Sequence, residues 1–474
     1  MYVTYSQWVA STRYPPHPAG ASRFQRRDMK TFCRRGAGSI GPPSGTGTGG
    51  PDSFRRMSFS RRTVSVALPL TLLIGLAAGR APHAAAQQQL ALPALSDSVR
   101  VSLISILPGR KIYSVFGHSA LRIRDPELGI DRAYNFGTFD FGDAPLDVAS
   151  FVARFTYGDL NYRLAVQDPP ALVRGYWQNE RRASVEQTLD LRRDEAQELF
   201  RRLEVNALPE NRYYQYDFFF DNCATRLLDV LEAVLGERVA FEATPPGRSF
   251  RQLLDPYLVG SRWVDLGMDL GLGLPADREA TAREATFLPE HLMDYFAVGS
   301  VDRGEAGWRP LVGRTETLTG PAGGSWKPDA DAPWPEIVGW ALLAVGVFFT
   351  MRDARAGRRS RPAVDGLFFG VLGVAGLAVT FLWFVSLHDV TDLNFNLAWA
   401  LPTHLVLAGA LARGRAGDGE AGRRAGLYLA VTAALAAVLL LGIPLWPQEL
   451  PAALVPLLLL IVVRAGWLAR VRLR

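Results

Sequence analysis

YYQYDFFFDNCATRLLD (213–229) joins an aromatic run at 216–220 to the opening of a helix. Asp221 and Asn222 stand in cap positions, where a short polar side chain accepts from the free N–H groups of a first turn. Leu227, Leu228, Leu231, Val234 and Leu235 recur at helical spacing, and Gly236 closes the run. Cys223 therefore lies at or just before a helix N-terminus, where the macrodipole favours a thiolate. A nucleophilic thiol needs a base, and the best-placed candidate is His118 in FGHSALRIRD (116–125), an alternating, strand-like segment. Taken singly, a cysteine beside an apolar run is more often a small buried hydrophobe, and a strand histidine a satisfied one. Together, each flanked by polar neighbours, they favour thiol chemistry on an α+β scaffold.

Outward from this pair the pattern stays mixed. VRVSLISILPG (99–109), VFGHSALRIRD (115–125) and RAYNFGTFDF (132–141) read as strands separated by turn residues. FVARFTYGDLNYRLAV (151–166) continues in mixed style. RRDEAQELFRRLEVNALPE (192–210) reads as a helix, with Ala196, Leu199, Phe200 and Leu203 on one face. FRQLLDPYL (250–258) predicts another helix, and 269–296 a loop and helix. Residues 87–333 thus form one exported domain of about 240 residues.

Upstream, residues 1–56 are rich in Ser, Gly, Pro and Arg and lack sustained periodicity, as in a disordered leader or an over-long gene start. Residues 57–86 carry a basic start, an apolar core at 63–78 and Ala84-Ala85-Ala86 before Gln87, the pattern of a secretory signal peptide. Met57 is then the natural first residue, and Arg61-Arg62 points weakly to twin-arginine export. Cleavage removes Cys33 and leaves Cys223 without a disulfide partner in its own chain.

The formal charge of +6 rests almost wholly on arginine, since the lysines are Lys30, Lys111 and Lys327. Much of that arginine sits in the leader or between apolar segments, which marks membrane topology and argues against a nucleic-acid partner. Five apolar stretches follow, at about 334–351, 366–387, 394–412, 426–445 and 451–469. The loops at 352–361 and 413–424 and the tail at 464–474 are Arg-rich, whereas 388–393 and 446–450 contain no Lys or Arg. The positive-inside rule puts 87–333 outside the cytoplasm, as the signal peptide does, and helical spans indicate an inner membrane.

In that outer compartment HDVTDLNFN (388–396) concentrates hydrogen-bonding groups; His388, Asn394 and Asn396 are candidates for contact with substrate or with the membrane interface. His404, some ten residues into the third apolar stretch, is an intramembrane ionisable group. His118, His291, His388 and His404 show no metal-ligand spacing, and neither a G-x-S-x-G elbow nor a dinucleotide fingerprint occurs; no metal or cofactor is expected.

FGHSALRIRD, YNFGTFDF, YDFFFDNCATRLLD and FLPEHLMDYF, followed by HDVTDLNFNLAWALP, resemble in order the bacterial Lnb-type family over roughly 97–410. The order of histidine before a helix-opening cysteine is also similar to circularly permuted papain-like (NlpC-like) enzymes. The resemblance implies an exported permuted papain-like domain followed by a multi-span membrane domain. It implies a membrane-bound acyltransferase moving an acyl chain from phospholipid to the N-terminal amine of a lipoprotein through a cysteine thioester. Carried over by residue, Cys223 is the nucleophile, His118 the base and Asn135, with Asp140 behind it, the group that orients the imidazole. Asn222 and the backbone N–H of Cys223 would serve an oxyanion hole. Phospholipid and lipoprotein are the implied partners. The rival readings are a membrane-tethered papain-like peptidase or peptidoglycan amidase, which needs only one anchor, and a non-enzymatic scaffold.

Overall fold

RVSLISI makes the strand β1 (Arg100–Ile106), and it is buried on both faces from Val101 onward. Such a strand belongs at the centre of a sheet covered on two sides. In the computed structural model, which describes residues 92–139, 145–321, 328–357, 361–414 and 419–474, that is its place. β1 pairs antiparallel with β2 (His118–Asp125) and, on its other edge, with β5 (Ser184–Leu189). β3 (Ile130–Thr138), β4 (Asn161–Gln167) and β6 (Tyr213–Gln215) extend the sheet beyond β2. A seventh strand, β10 (Val312–Thr319), returns to cover the edge of β5, giving the order β10-β5-β1-β2-β3-β4-β6. A small second sheet holds β7 (Val239–Phe241), β8 (Gly299–Asp302) and β9 (Trp308–Pro310).

Between the strands run α1 (Pro145–Tyr157), α2 (Pro169–Glu180), α3 (Arg193–Ala207) and α4 (Thr225–Leu235). The mixed segment at 151–166 resolves into the end of α1 and the strand β4. On one face of the sheet, Val101, Leu103, Leu121 and Ile123 pack on Leu199, Phe200 and Leu203 of α3 and on Leu227, Leu228 and Leu231 of α4. Burying each such side chain contributes about 1.5–3 kcal/mol. On the other face α2 lays Leu172, Val173 and Tyr176 over Ile104, Ile106, Ala120 and Ala133. The domain continues through α5 (Phe250–Leu258), α6 (Arg262–Gly271), α7 (Ala282–Ala285) and α8 (Pro289–Ala297).

The last third is helical: α9 (Trp334–Arg355), α10 (Pro362–Phe384), α11 (His404–Ala412), α12 (Gly419–Gly442) and α13 (Leu454–Leu473). Among the described residues, four of these are long and apolar enough to cross a membrane. The third expected span is not a continuous helix over 394–412. Its first part is broken into 3-10 turns, Asp389–Thr391 and Phe395–Ala398, and α11 has only 9 residues. At 1.5 Å per residue α11 rises about 13–14 Å, under half of a ~30 Å hydrocarbon core. The irregular stretch is largely covered by protein, the condition under which non-helical backbone is tolerated at membrane depth. At the Arg-rich end of the bundle, buried Arg464 bridges Asp353 and Asp365 at 3.1 and 2.7 Å, and Arg361 completes a four-charge cluster tying α9, α10 and α13 together.

The exported domain is seated on the outer loops of this bundle. The Asn394 amide donates to the carbonyls of Leu270, Gly271 and Leu272 at 2.8–3.3 Å, closing the C-terminus of α6. Gln448 donates to the same Leu272 carbonyl. Gly273 bonds Val390 backbone to backbone at 2.8 Å, and a β-carbon there would stand 1.9 Å from the Asp392 carbonyl oxygen. The leader expected at 1–56, the signal peptide at 57–86 and Asp140 lie outside the described residues.

Candidate active site

Three elements converge at one end of the sheet. β2 opens on His118, the end of β3 brings Asn135 and Gly137, and the turn ahead of α4 brings Cys223. Gly137 has φ +86°, and a β-carbon on it would lie 3.1 Å from the Cys223 β-carbon and 3.6 Å from His118 Cε1. Glycine suits that positive φ best, and the spot it leaves open touches the Cys223 β-carbon and the imidazole alike. Both side chains keep part of their surface exposed, so a substrate can reach them.

His118 is oriented from behind. Its Nε2 donates to Asn135 Oδ1 at 2.5 Å, and the Asn135 amide in turn donates to Gln167 Oε1 at 2.7 Å. With the proton on Nε2, the Nδ1 lone pair is the free acceptor of the ring. The Tyr176 ring lies 6.0 Å from the imidazole, centroid to centroid. Buried Arg182 stacks on Tyr176 at 4.9 Å, donates to the Leu107 carbonyl and pairs with Glu180.

The electrostatics leave both groups neutral. Burial pushes the Cys223 thiol up from 9.0 to about 11, against the backbone N–H groups of Ser119, Cys223 and Ala224 and the charge of Arg182. Burial likewise pushes His118 down to about 4; the Asn135 bond opposes this and Arg182 adds to it. Both shifts run against the resting thiolate expected from the helix start. A helix terminus contributes about 0.3–1 kcal/mol at an exposed position, whereas desolvation of a buried ionisable group reaches several pKa units. Cys223 also precedes the first helical residue, Thr225, by two positions.

Other expected residues take structural places. Asn222 caps α4: its Oδ1 accepts from Ala224 and Thr225 N–H at 2.8 and 3.0 Å. Both amide hydrogens go to the carbonyls of Phe218 and Phe287, so its side chain has no donor left for an oxyanion. Asp221 does not cap; it forms a two-pronged pair with Arg226. His388 donates from Nε2 to the Phe155 carbonyl at 2.7 Å, at the seam between α1 and the membrane helices. Asn394 and Asn396 are buried and bonded to the end of α6, at the interface between the exported domain and the membrane helices. His404 bonds the Trp399 carbonyl and the Tyr428 hydroxyl.

Gln167, Tyr176 and Arg182 escaped the sequence reading. Arg182 has a legible neighbourhood in NERRAS (179–184), but nothing in the pattern distinguishes a buried arginine from a solvated one. Among the described residues no cluster of His, Cys, Asp and Glu could hold a metal ion.

Residues 88–255 match the family description Lnb N-terminal periplasmic domain, and residues 328–474 match Lnb transmembrane domain. No curated protein and no solved structure matches the chain.

Proposed function

The chain belongs to the Lnb family, membrane proteins of the lipoprotein N-acyltransferase-like kind with an N-terminal periplasmic domain, and on that premise we propose that it carries an acyl chain from a phospholipid to a lipoprotein amine through a thioester on Cys223. The convergence of Cys223, His118 and Asn135 around Gly137, from stretches about a hundred residues apart, is the observation that carries this reading. Its place on a bundle of membrane helices supplies the lipid context, and helical spans imply the inner membrane.

Each step balances. The Cys223 sulfur attacks the ester carbonyl of the phospholipid while its proton passes to His118 Nδ1. As the C–O bond breaks, the imidazolium returns that proton to the leaving alkoxide and lysophospholipid departs. The lipoprotein amine then attacks the thioester, His118 takes the amine proton, and the thiolate leaves and is reprotonated. Asn135 holds the proton on Nε2 and steadies the imidazolium formed in each half. The backbone N–H groups of Ser119 and Cys223, which favour the thiolate form of the sulfur, support a main-chain oxyanion hole for the tetrahedral intermediate. Because the resting pair is neutral, proton transfer accompanies attack and does not precede it.

Mass spectrometry of a lipoprotein N-terminal peptide tests this in a host lacking its own N-acyltransferase. Wild-type protein adds a third acyl chain and Cys223→Ala adds none. If neither adds it, lipoprotein acylation falls and the amidase reading takes its place; if both do, the thiol is not the nucleophile.

A further inference from the structure

α1 carries an apolar face that the exported domain leaves bare. Val152 is 55% exposed and Phe155 42%, and Tyr157, which ends the same helix, is 39% exposed. The face is tied to the outer end of α10. Leu387 N–H donates to the Tyr157 carbonyl at 2.8 Å, His388 Nε2 donates to the Phe155 carbonyl, and the rings of Tyr157 and Phe381 stand 6.4 Å apart. α10 is long and apolar enough to cross a membrane, and the 388–393 loop leaves it on the side opposite the Arg-rich loops. These contacts tie the end of α1 to the end of α10 that the arginine placement assigns to the periplasmic interface. There, aromatic and branched side chains enter the acyl region while a long cation such as exposed Arg154 stays at the phosphates.

From this face a row of rings runs inward. Phe155 stacks on Phe151 at 6.3 Å, Phe151 on Phe139 at 5.3 Å, Phe139 meets Tyr162 at 5.0 Å, and Tyr162 stacks on Tyr216 at 4.1 Å. Phe139 is two residues beyond Gly137, which abuts the thiol, and Cys223 packs into the same apolar cluster as Tyr162 and Tyr216. Phe139, Phe151 and Tyr216 each keep part of their surface open.

We propose that α1 rests in the periplasmic leaflet and that Phe155, Phe151, Phe139 and Tyr162 guide a phospholipid acyl chain from that leaflet to Cys223. The inference rests on the acyl-transfer reading and deepens it: the donor enters sideways from the bilayer, not from the aqueous phase.

The test uses the full chain in phosphatidylethanolamine–phosphatidylglycerol vesicles with a trace of phospholipid bearing an acyl-chain diazirine. After irradiation, peptide mass spectrometry locates the adducts. Adducts are expected on residues 151–157 and on Phe139 or Tyr162, in wild type and Cys223→Ala alike, besides those on the spanning helices. Labelling confined to the spanning helices overturns the proposal. The double variant Val152→Gln, Phe155→Gln changes exposed positions only. It should lower adducts at Phe139 and thioester formation from vesicle lipid by about tenfold, while a water-soluble maleimide still alkylates Cys223 at the wild-type rate at pH 9. An unchanged thioester rate in that variant overturns the guiding role. Adducts at Phe139 with no thioester in wild type leave the lipid path standing and remove the acyl-transfer reading.

Discussion

At the scale of single residues, the site is a neutral thiol beside a neutral imidazole. Desolvation holds Cys223 near 11 and His118 near 4, so a proton must move during the reaction and not before it. Alkylation of Cys223 by a water-soluble maleimide should therefore keep rising with pH past 9, where an ordinary thiol levels off. His118→Ala should leave that profile in place, because a neutral ring contributes no charge. A plateau near pH 6 would mean a resting ion pair and sink the neutral-pair mechanism. Folding is linked to the same values: with His118 lowered in the fold from 6.5 to about 4, its contribution is complete above pH 6.5 and is lost as pH falls from there towards 4. Asn135 acts through His118 and so tests differently. Asn135→Ala should slow thioester formation by roughly tenfold to a hundredfold, the usual effect of a loosened catalytic group. Asn135→Asp places a carboxylate on Nε2 and should move the acid limb of the rate profile to higher pH; a purely structural asparagine would leave that limb where it is.

At the scale of elements, the cysteine-bearing turn is held by Asn222 more than by the helix it opens. One side chain accepts from the N–H groups of Ala224 and Thr225 where α4 begins and satisfies two carbonyls from separate segments. Asn222→Ala should cost about 2–4 kcal/mol, from the lost cap and the carbonyls left bare. Thermal unfolding in detergent measures this, and a melting temperature unchanged within about a degree would show that the cap is not what holds the turn. The sequence made α4 legible because its leucines repeat at 3.6 residues and face one core. The same signal marks 394–412 as apolar but does not tell where within it the helix begins. Asn394, Asn396 and Trp399 close side-chain bonds that break the backbone into 3-10 turns before α11 begins.

At the scale of the whole molecule, the exported domain is seated on the loops at 388–396 and 446–450. Gly273 is its tightest point. Gly273→Val drives a side chain into the Asp392 carbonyl and should unseat the domain while leaving the sheet and its core intact. Limited proteolysis in membranes reads this directly: cleavage near 328–333 should become faster in the variant, and an unchanged digestion pattern would show that the seat tolerates the wedge. The four-charge cluster of Arg361, Asp353, Asp365 and Arg464 holds the opposite end of the bundle, where each charge is acceptable only because the others are present.

What the amino-acid sequence determined by itself is whatever a local pattern encodes. The periods of α3 and α4, the alternation around His118, the apolar stretches and the placement of arginine between them are such patterns. They sufficed for an α+β exported domain on a helical membrane region and for choosing Cys223 and His118, whereas Asn135 rests on the resemblance to permuted papain-like enzymes. The tertiary structure alone decided what depends on distant segments meeting. β10 covers β5 across more than a hundred residues of chain, a pairing no window of sequence contains. Gln167 meets Asn135, and Arg182 stacks on the Tyr176 ring beside the imidazole, only once the strands are in register. Cys223 loses the thiolate that its helix start suggests, because burial is imposed by the segments that pack around it and outweighs the dipole of the helix it precedes.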